Sequence, residues 1–226
     1  MPTKKTILAL ALRVLLFVAS LALAGSAYGS VTLYNNLGPG LGYDAFLSRP
    51  IGGINFFADA FTSSATATLM SLMLPLQQCH CSNQPDTSGN IVVSLQTNNK
   101  FVGADIPSGT ILESFTIDST QLPQVLTSTL PWTLNSILHP TLTAGTLYWI
   151  EVAPTSTSNF VEWNFASPGV LGESYQSGVG FSTGEVLSGL NVTGDTPEPE
   201  SLSLVAFGAI LLGAYRTNKR RRSSAC

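Results

Sequence analysis

The sequence predicts an all-β protein: a two-sheet β-sandwich, jelly-roll or immunoglobulin-like, flanked by an N-terminal signal peptide and a C-terminal transmembrane helix. Three observations predict it. Short segments of alternating apolar and polar residues follow one another through the middle of the chain, punctuated by Gly, Pro, Asn and Ser. No segment between residues 31 and 196 carries a convincing helical repeat. The two long uncharged apolar runs lie at the ends.

Residues 1–27 read as the signal peptide. Lys4, Lys5 and Arg13 form a positive n-region, and Val14 to Leu23 is an apolar core broken only by Ser20. Ala22-Leu23-Ala24 and Gly25-Ser26-Ala27 are both acceptable cleavage sites, so the mature chain is expected to start between Gly25 and Ser30. The apolar core is short for a retained span.

Residues 28–190 form the expected β domain, a normal size for one core. Val31 to Tyr34 opens it, and Gly38-Pro39-Gly40-Leu41-Gly42 makes a turn. Ile54 to Phe61, Ala65 to Leu76, Ile91 to Gln96, Ile111 to Ile117, Tyr148 to Val152 and Val161 to Phe165 follow as strands. Phe115 and Ile117 should face inward, with Ser114 and Thr116 outward. Pro75, Pro107, Pro123, Pro131, Pro140, Pro154 and Pro168 fall mostly at strand ends, where proline is tolerated. Gln77 to Asn90 reads as a polar surface loop, Thr155 to Asn159 as a hairpin connection, and Ser188 to Thr196 as a Gly/Thr/Asp-rich linker.

Charge is unevenly spread. Only Arg49 and Lys100 are basic between the two ends, against thirteen acidic residues from Asp44 to Glu200, a net of −11 for that stretch. So few cations exclude a nucleic-acid or anionic-lipid binding role for the domain, because almost nothing could neutralise phosphates. Sparse charge with abundant Ser, Thr, Gly and Asn fits an extracellular β-rich protein.

Residues 191–200 read as a linker carrying Pro197-Glu198-Pro199, and residues 201–226 as a transmembrane sorting helix with a basic tail. The uncharged run Ser201 to Tyr215 covers about 22 Å as a helix, short of the ~30 Å hydrocarbon core. It has no polar face, and Arg216 can snorkel to extend it. Lys219, Arg220, Arg221 and Arg222 then stay cytoplasmic under the positive-inside rule.

Pro-Glu-Pro, a short apolar helix and an Arg-rich end, in that order, resemble the PEP-CTERM sorting signal of Gram-negative bacteria. The resemblance covers about thirty residues and implies a partner, the membrane-embedded cysteine protease exosortase, which recognises the tail and is thought to cut near the motif. The inner membrane would then hold the protein during sorting, before it passes to the cell envelope or outside. The two prolines forbid a continuous helix and keep the motif extended. A second resemblance rests on Leu33-Tyr34-Asn35-Asn36-Leu37-Gly38-Pro39-Gly40 and on Leu142-Thr143-Ala144-Gly145-Thr146-Leu147-Tyr148-Trp149-Ile150. These look like the choice-of-anchor domains of bacterial surface proteins, and that likeness implies no known activity.

Cys79 and Cys81 flank His80. An exported location permits a disulfide between them, although so small a loop adds little stability; free thiols are the alternative. A metal site using His80 lacks a fourth ligand nearby, so no metal is expected there. Gly180-Phe181-Ser182-Thr183-Gly184 matches a nucleophile elbow, but the last histidine, His139, lies upstream rather than downstream. Glu151, Glu162, Glu173 and Glu185 are nearly evenly spaced and offer carboxylates for a glycosidase pair, yet Glu151 and Glu162 lie opposite apolar faces and should point to solvent. Asp44 and Asp59 offer oxygen ligands for Ca2+ without a loop of recognisable spacing, and no other cofactor is implied. Gly38 to Gly42 lacks the helix a phosphate loop needs. Of the tryptophans, Trp163 shares a face with Val161 and Phe165 and should pack in the core. Trp149 shares parity with Glu151, which hints at exposure unless a loop covers it. Trp132, between Pro131 and Thr133, is the better candidate glycan contact.

The expected function is therefore that of an exported, non-catalytic cell-envelope or extracellular-matrix protein with a structural or adhesive role. The alternative is a carbohydrate-binding module of the exopolysaccharide matrix.

Overall fold

The computed structural model describes residues 28–53, 55–79, 89–124, 130–157, 159–167 and 169–197. The expected signal peptide, Cys81, Glu198, Pro199, the apolar sorting segment and the basic residues Arg216, Lys219, Arg220, Arg221 and Arg222 lie outside the described residues. Among those described, no helix is long and apolar enough to cross a membrane.

The fold is all-β, with multiple antiparallel sheets. Its strands are β1 (Tyr28–Asn35), β2 (Tyr43–Gly52), β3 (Phe57–Thr62), β4 (Ala67–Leu74), β5 (Leu76–Gln78), β6 (Asn90–Phe101) and β7 (Ala104–Asp118). Then come β8 (Trp132–Asn135), β9 (Thr141–Leu142), β10 (Leu147–Pro154), β11 (Phe160–Ala166), β12 (Leu171–Gln176), β13 (Gly180–Val186) and β14 (Asn191–Pro197). Hydrogen bonding groups them into three sheets. The first runs β1-β14-β4-β8 with β9 also on β4, the second β13-β12-β3-β10-β6-β7, and the third β2-β11-β5.

One apolar interior draws on all three sheets. Leu33, Leu69, Leu72 and Val192 come from the first sheet, Phe61, Val93, Leu95, Ile150 and Val152 from the second, and Ile51, Leu76, Val161 and Trp163 from the third. Alternation along each strand produces this, because successive side chains point to opposite faces. Phe115 and Ile117 are buried and Ser114 and Thr116 exposed, as the sequence pattern requires. Trp163 is fully buried and donates its indole N–H to the Gly189 carbonyl at 2.9 Å.

Several elements differ from the sequence reading. The expected single strand Ala65 to Leu76 breaks at Pro75, which cannot donate to a ladder, so β4 joins the first sheet and β5 the third. Thr155 to Asn159 is not a hairpin connection: β10 and β11 belong to different sheets. The expected linker from Ser188 contains β14, which pairs with β4 from Asn191↔Met73 to Asp195↔Thr68. Val192 and Leu190 are buried, while Gly194 lies so close to Leu33 and the Thr68 carbonyl that an added Cβ would sit 2.8 and 2.9 Å from them. That glycine marks tight strand packing rather than a flexible connection.

β1 and β14 run in opposite directions as sheet neighbours. The Asn36 amide nitrogen, just past β1, donates to the Leu190 carbonyl just before β14, at 3.1 Å. The Asn36 side chain accepts from Leu190 N–H at 2.6 Å and donates to the Ser188 carbonyl at 2.9 Å. The start of β1 and the end of β14 therefore meet at one end of the sheet.

Candidate functional site

The second sheet is unusual in carrying apolar residues on both faces. Phe57, Phe61, Tyr148, Ile150 and Val152 point to the main core. On the opposite face Ala58, Ala60 and Trp149 form a second buried cluster, with Leu147, Tyr175 and Phe181 packed half-buried against it. Register puts these residues side by side. Phe181 on β13 pairs with Tyr175 on β12, Tyr175 with Ala58 on β3, Ala58 with Glu151 on β10, and Glu151 with Ser94 on β6. One step along, Ala60, Trp149 and Gln96 make a parallel row. Glu173 lies two residues from Tyr175 and shares its face.

The β6–β7 hairpin folds back over this face. β7 is the edge strand beyond β6, four places from β12, yet it approaches both β12 and β13. Register shifts between Leu95 and Asn98 let it bend. Trp149 donates its indole N–H to Asn98 Oδ1 at 2.9 Å, and Asn98 in turn donates to Asp105 across the hairpin. Gly109 N–H reaches Gln96 Oε1 at 2.9 Å, and Gln96 Nε2 reaches Ser94 Oγ at 3.0 Å. Trp149 is therefore fully buried rather than exposed: the hairpin supplies the cover that parity alone left open.

What stays accessible is a strip from β13 to the start of β3. Phe56, Tyr175 and Phe181 are each half-buried. The Phe56 and Tyr175 rings are 22° from parallel with centroids 5.9 Å apart, a separation at which they lie offset. The backbone fixes this end, since Ser177 Oγ accepts from Phe56 N–H at 2.9 Å and Ser177 N–H donates to the Phe56 carbonyl at 3.2 Å. Ala58 and Ala60 lie buried beneath it. Glu151 and Glu173 flank it, and burial holds both carboxyls above the usual range. Gln96 hydrogen-bonds Glu151 and limits its rise; Asp105 adds to that of Glu173, and Lys100 opposes it. Glu173 Oε2 is buried with no hydrogen-bond partner. Glu151 thus differs from the solvent-facing residue its alternation predicts.

The other sequence candidates fall elsewhere. Trp132 on β8 is half-buried and packs against the main core. Glu162 accepts from Gln77 Nε2 at 2.7 Å and contributes nothing to the strip. Ser182 lies within β13 and its hydroxyl contacts Glu185 at 3.2 Å, so Gly180 to Gly184 is extended strand, not a strand-to-helix elbow. Asp44 Oδ1 accepts from Phe46 and Leu47 N–H at 2.9 and 3.1 Å, while Asp59 is buried against Arg49 and Ser188. Among the described residues no group of three or more His, Cys, Asp or Glu side chains converges for a metal ion. Cys79 is disulfide-bonded, and its Sγ, which has no proton to donate, rests 3.6 Å from Glu162 Oε1. Pro197 closes β14.

Phe56, Tyr175 and Phe181 were missed as site residues in the sequence. The signal was faint, because Gly172, Gly180 and Gly184 interrupt the alternation in β12 and β13. No protein-family model matches the chain, and no curated protein matches it.

Proposed function

We propose that this protein is exported and sorted through a PEP-CTERM tail read by exosortase, and serves a structural or adhesive role at the cell envelope or in the extracellular matrix. In this reading the three hydrogen-bonded sheets make up the two layers of a β-sandwich of jelly-roll or immunoglobulin-like type, with no catalytic role. The observation that carries the reading is the order Pro197-Glu198-Pro199, apolar run, basic cluster.

The test is the C-terminus of the mature protein. Intact mass should show a chain ending near the Pro-Glu-Pro motif in cells that carry exosortase, and an unprocessed chain in cells that lack it. Changing Arg220, Arg221 and Arg222 to Ala should block processing. A mature protein with its full tail in place would overturn the sorting reading.

A further inference from the structure

We propose that the strip Phe56–Tyr175–Phe181 binds a polysaccharide that carries free amino groups, with Glu151 and Glu173 receiving its ammonium groups. This deepens the adhesive reading and depends on it only for the presence of polysaccharide around the protein.

Three observations converge. First, Phe181 on β13 pairs directly with Tyr175 on β12, about one strand separation (~4.8 Å) away, and the ring of Phe56, the residue before β3, lies 5.9 Å from that of Tyr175. A pyranose chain has a comparable repeat, and the C–H face of each sugar is apolar enough to stack on an aromatic ring. Second, the rings are anchored from beneath by the buried cluster of Ala58, Ala60 and Trp149, while the folded-back hairpin bounds the far side through Asn98 and Asp105. The result is a row of half-buried rings held in place from below, a surface suited to a polymer. Third, the charge on this face has one sign. Glu151, Glu173 and Asp105 oppose Lys100 alone, and Glu173 Oε2 is buried without a hydrogen-bond partner. An anionic polymer would be repelled. An ammonium group would be attracted by these carboxylates.

The test uses the full chain, purified in detergent, with a soluble chitosan oligosaccharide, an uncharged β-glucan oligosaccharide and an alginate oligosaccharide as probes. Calorimetry should show binding of chitosan, weaker binding of the glucan and none of alginate. Tyr175→Leu and Phe181→Thr should each lower chitosan affinity by tenfold or more. Thr is well tolerated in an edge strand, so the second variant keeps the test usable should the first fail to fold; the thermal melt of each reports folding. Glu151→Gln with Glu173→Gln should bring chitosan affinity down to that of the glucan. Unchanged chitosan binding by a folded Phe181→Thr variant overturns the site. Binding of alginate as tight as that of chitosan overturns the ligand class, and so does an absence of chitosan binding. None of these outcomes bears on the tail, which processing by mass tests separately.

Discussion

The Arg49 guanidinium lies 4.0 Å from the Asp59 carboxylate, and both side chains are buried where the third sheet meets the second. Arg49 also donates to the Val186 carbonyl at 2.6 Å and lies 5.4 Å from the ring centres of Phe57 and Phe165. Asp59 accepts from Ser188 N–H at 2.7 Å. One of only two cations between the chain's ends is thus spent in the core, clamping the 186–188 segment that feeds β14. Burial raises the Asp59 carboxyl despite Arg49, and an acid in this position holds more protons folded than unfolded. Arg49→Met should therefore cost about 3–5 kcal/mol at neutral pH in urea unfolding. Because burial favours the protonated acid, that loss should shrink as pH falls towards the unfolded carboxyl range. Adding Asp59→Asn should restore part of it; strictly additive losses would show that the two residues act independently.

Tyr34 gives a second pH test. Burial, and then the negative charge of Asp59, push its phenol from 10.0 up to about 12, although a hydrogen bond with Asn36 opposes them. The folded state keeps this proton where the unfolded chain has lost it. Stability should be unaffected by this group below pH 10 and should fall between pH 10 and about 12. In Tyr34→Phe that alkaline slope should be shallower, as read from urea midpoints across the range. An identical slope in both proteins would remove Tyr34 as its source.

Glu113 holds the edge of the first sheet against β7. It is 1% exposed and accepts from Ser136 Oγ and Ile137 N–H, both at 2.5 Å, and from Leu138 N–H at 3.0 Å. Ile137 and Leu138 are thereby held 78% and 69% exposed. The segment between β8 and β9 also interrupts an edge that another chain could otherwise pair with. Glu113→Ala should cost about 2–4 kcal/mol, because three donors lose one charged acceptor. Hydrogen exchange should quicken at the Ile137 and Leu138 amides before anywhere in β10. Uniform change across the domain would count against a local role.

At the hairpin tip Val102 and Gly103 both have positive φ, 50° and 83°, as a type I′ turn requires. A β-branched residue is strained there, and Val102 is 91% exposed, so nothing in the described fold compensates. Val102→Asn should raise stability by about 1 kcal/mol. A loss of stability on that change would show that the valine makes a contact the turn geometry does not reveal.

Strand alternation in β6, β7, β10 and β11 was legible because each has one face in the main core and enough regular residues to display it. β2, β12 and β13 were not legible. Proline, glycine and short polar runs break their pattern, and they are strands because partners in other parts of the chain complete their hydrogen bonds. Trp163 could be placed from its neighbours in sequence. Trp149 could not, because its cover comes from a hairpin about fifty residues earlier.

By itself the sequence determined an all-β composition, a domain almost empty of cations, and the ordered motif at its C-terminal side. Those properties depend on local period and on residue counts, which survive in one dimension. Only the tertiary structure decided that Arg49 is buried, that β14 belongs to the fold, and that Phe56, Tyr175 and Phe181 share one face. Each of these depends on register between distant strands, and register is set by which pairings bury the most apolar surface together.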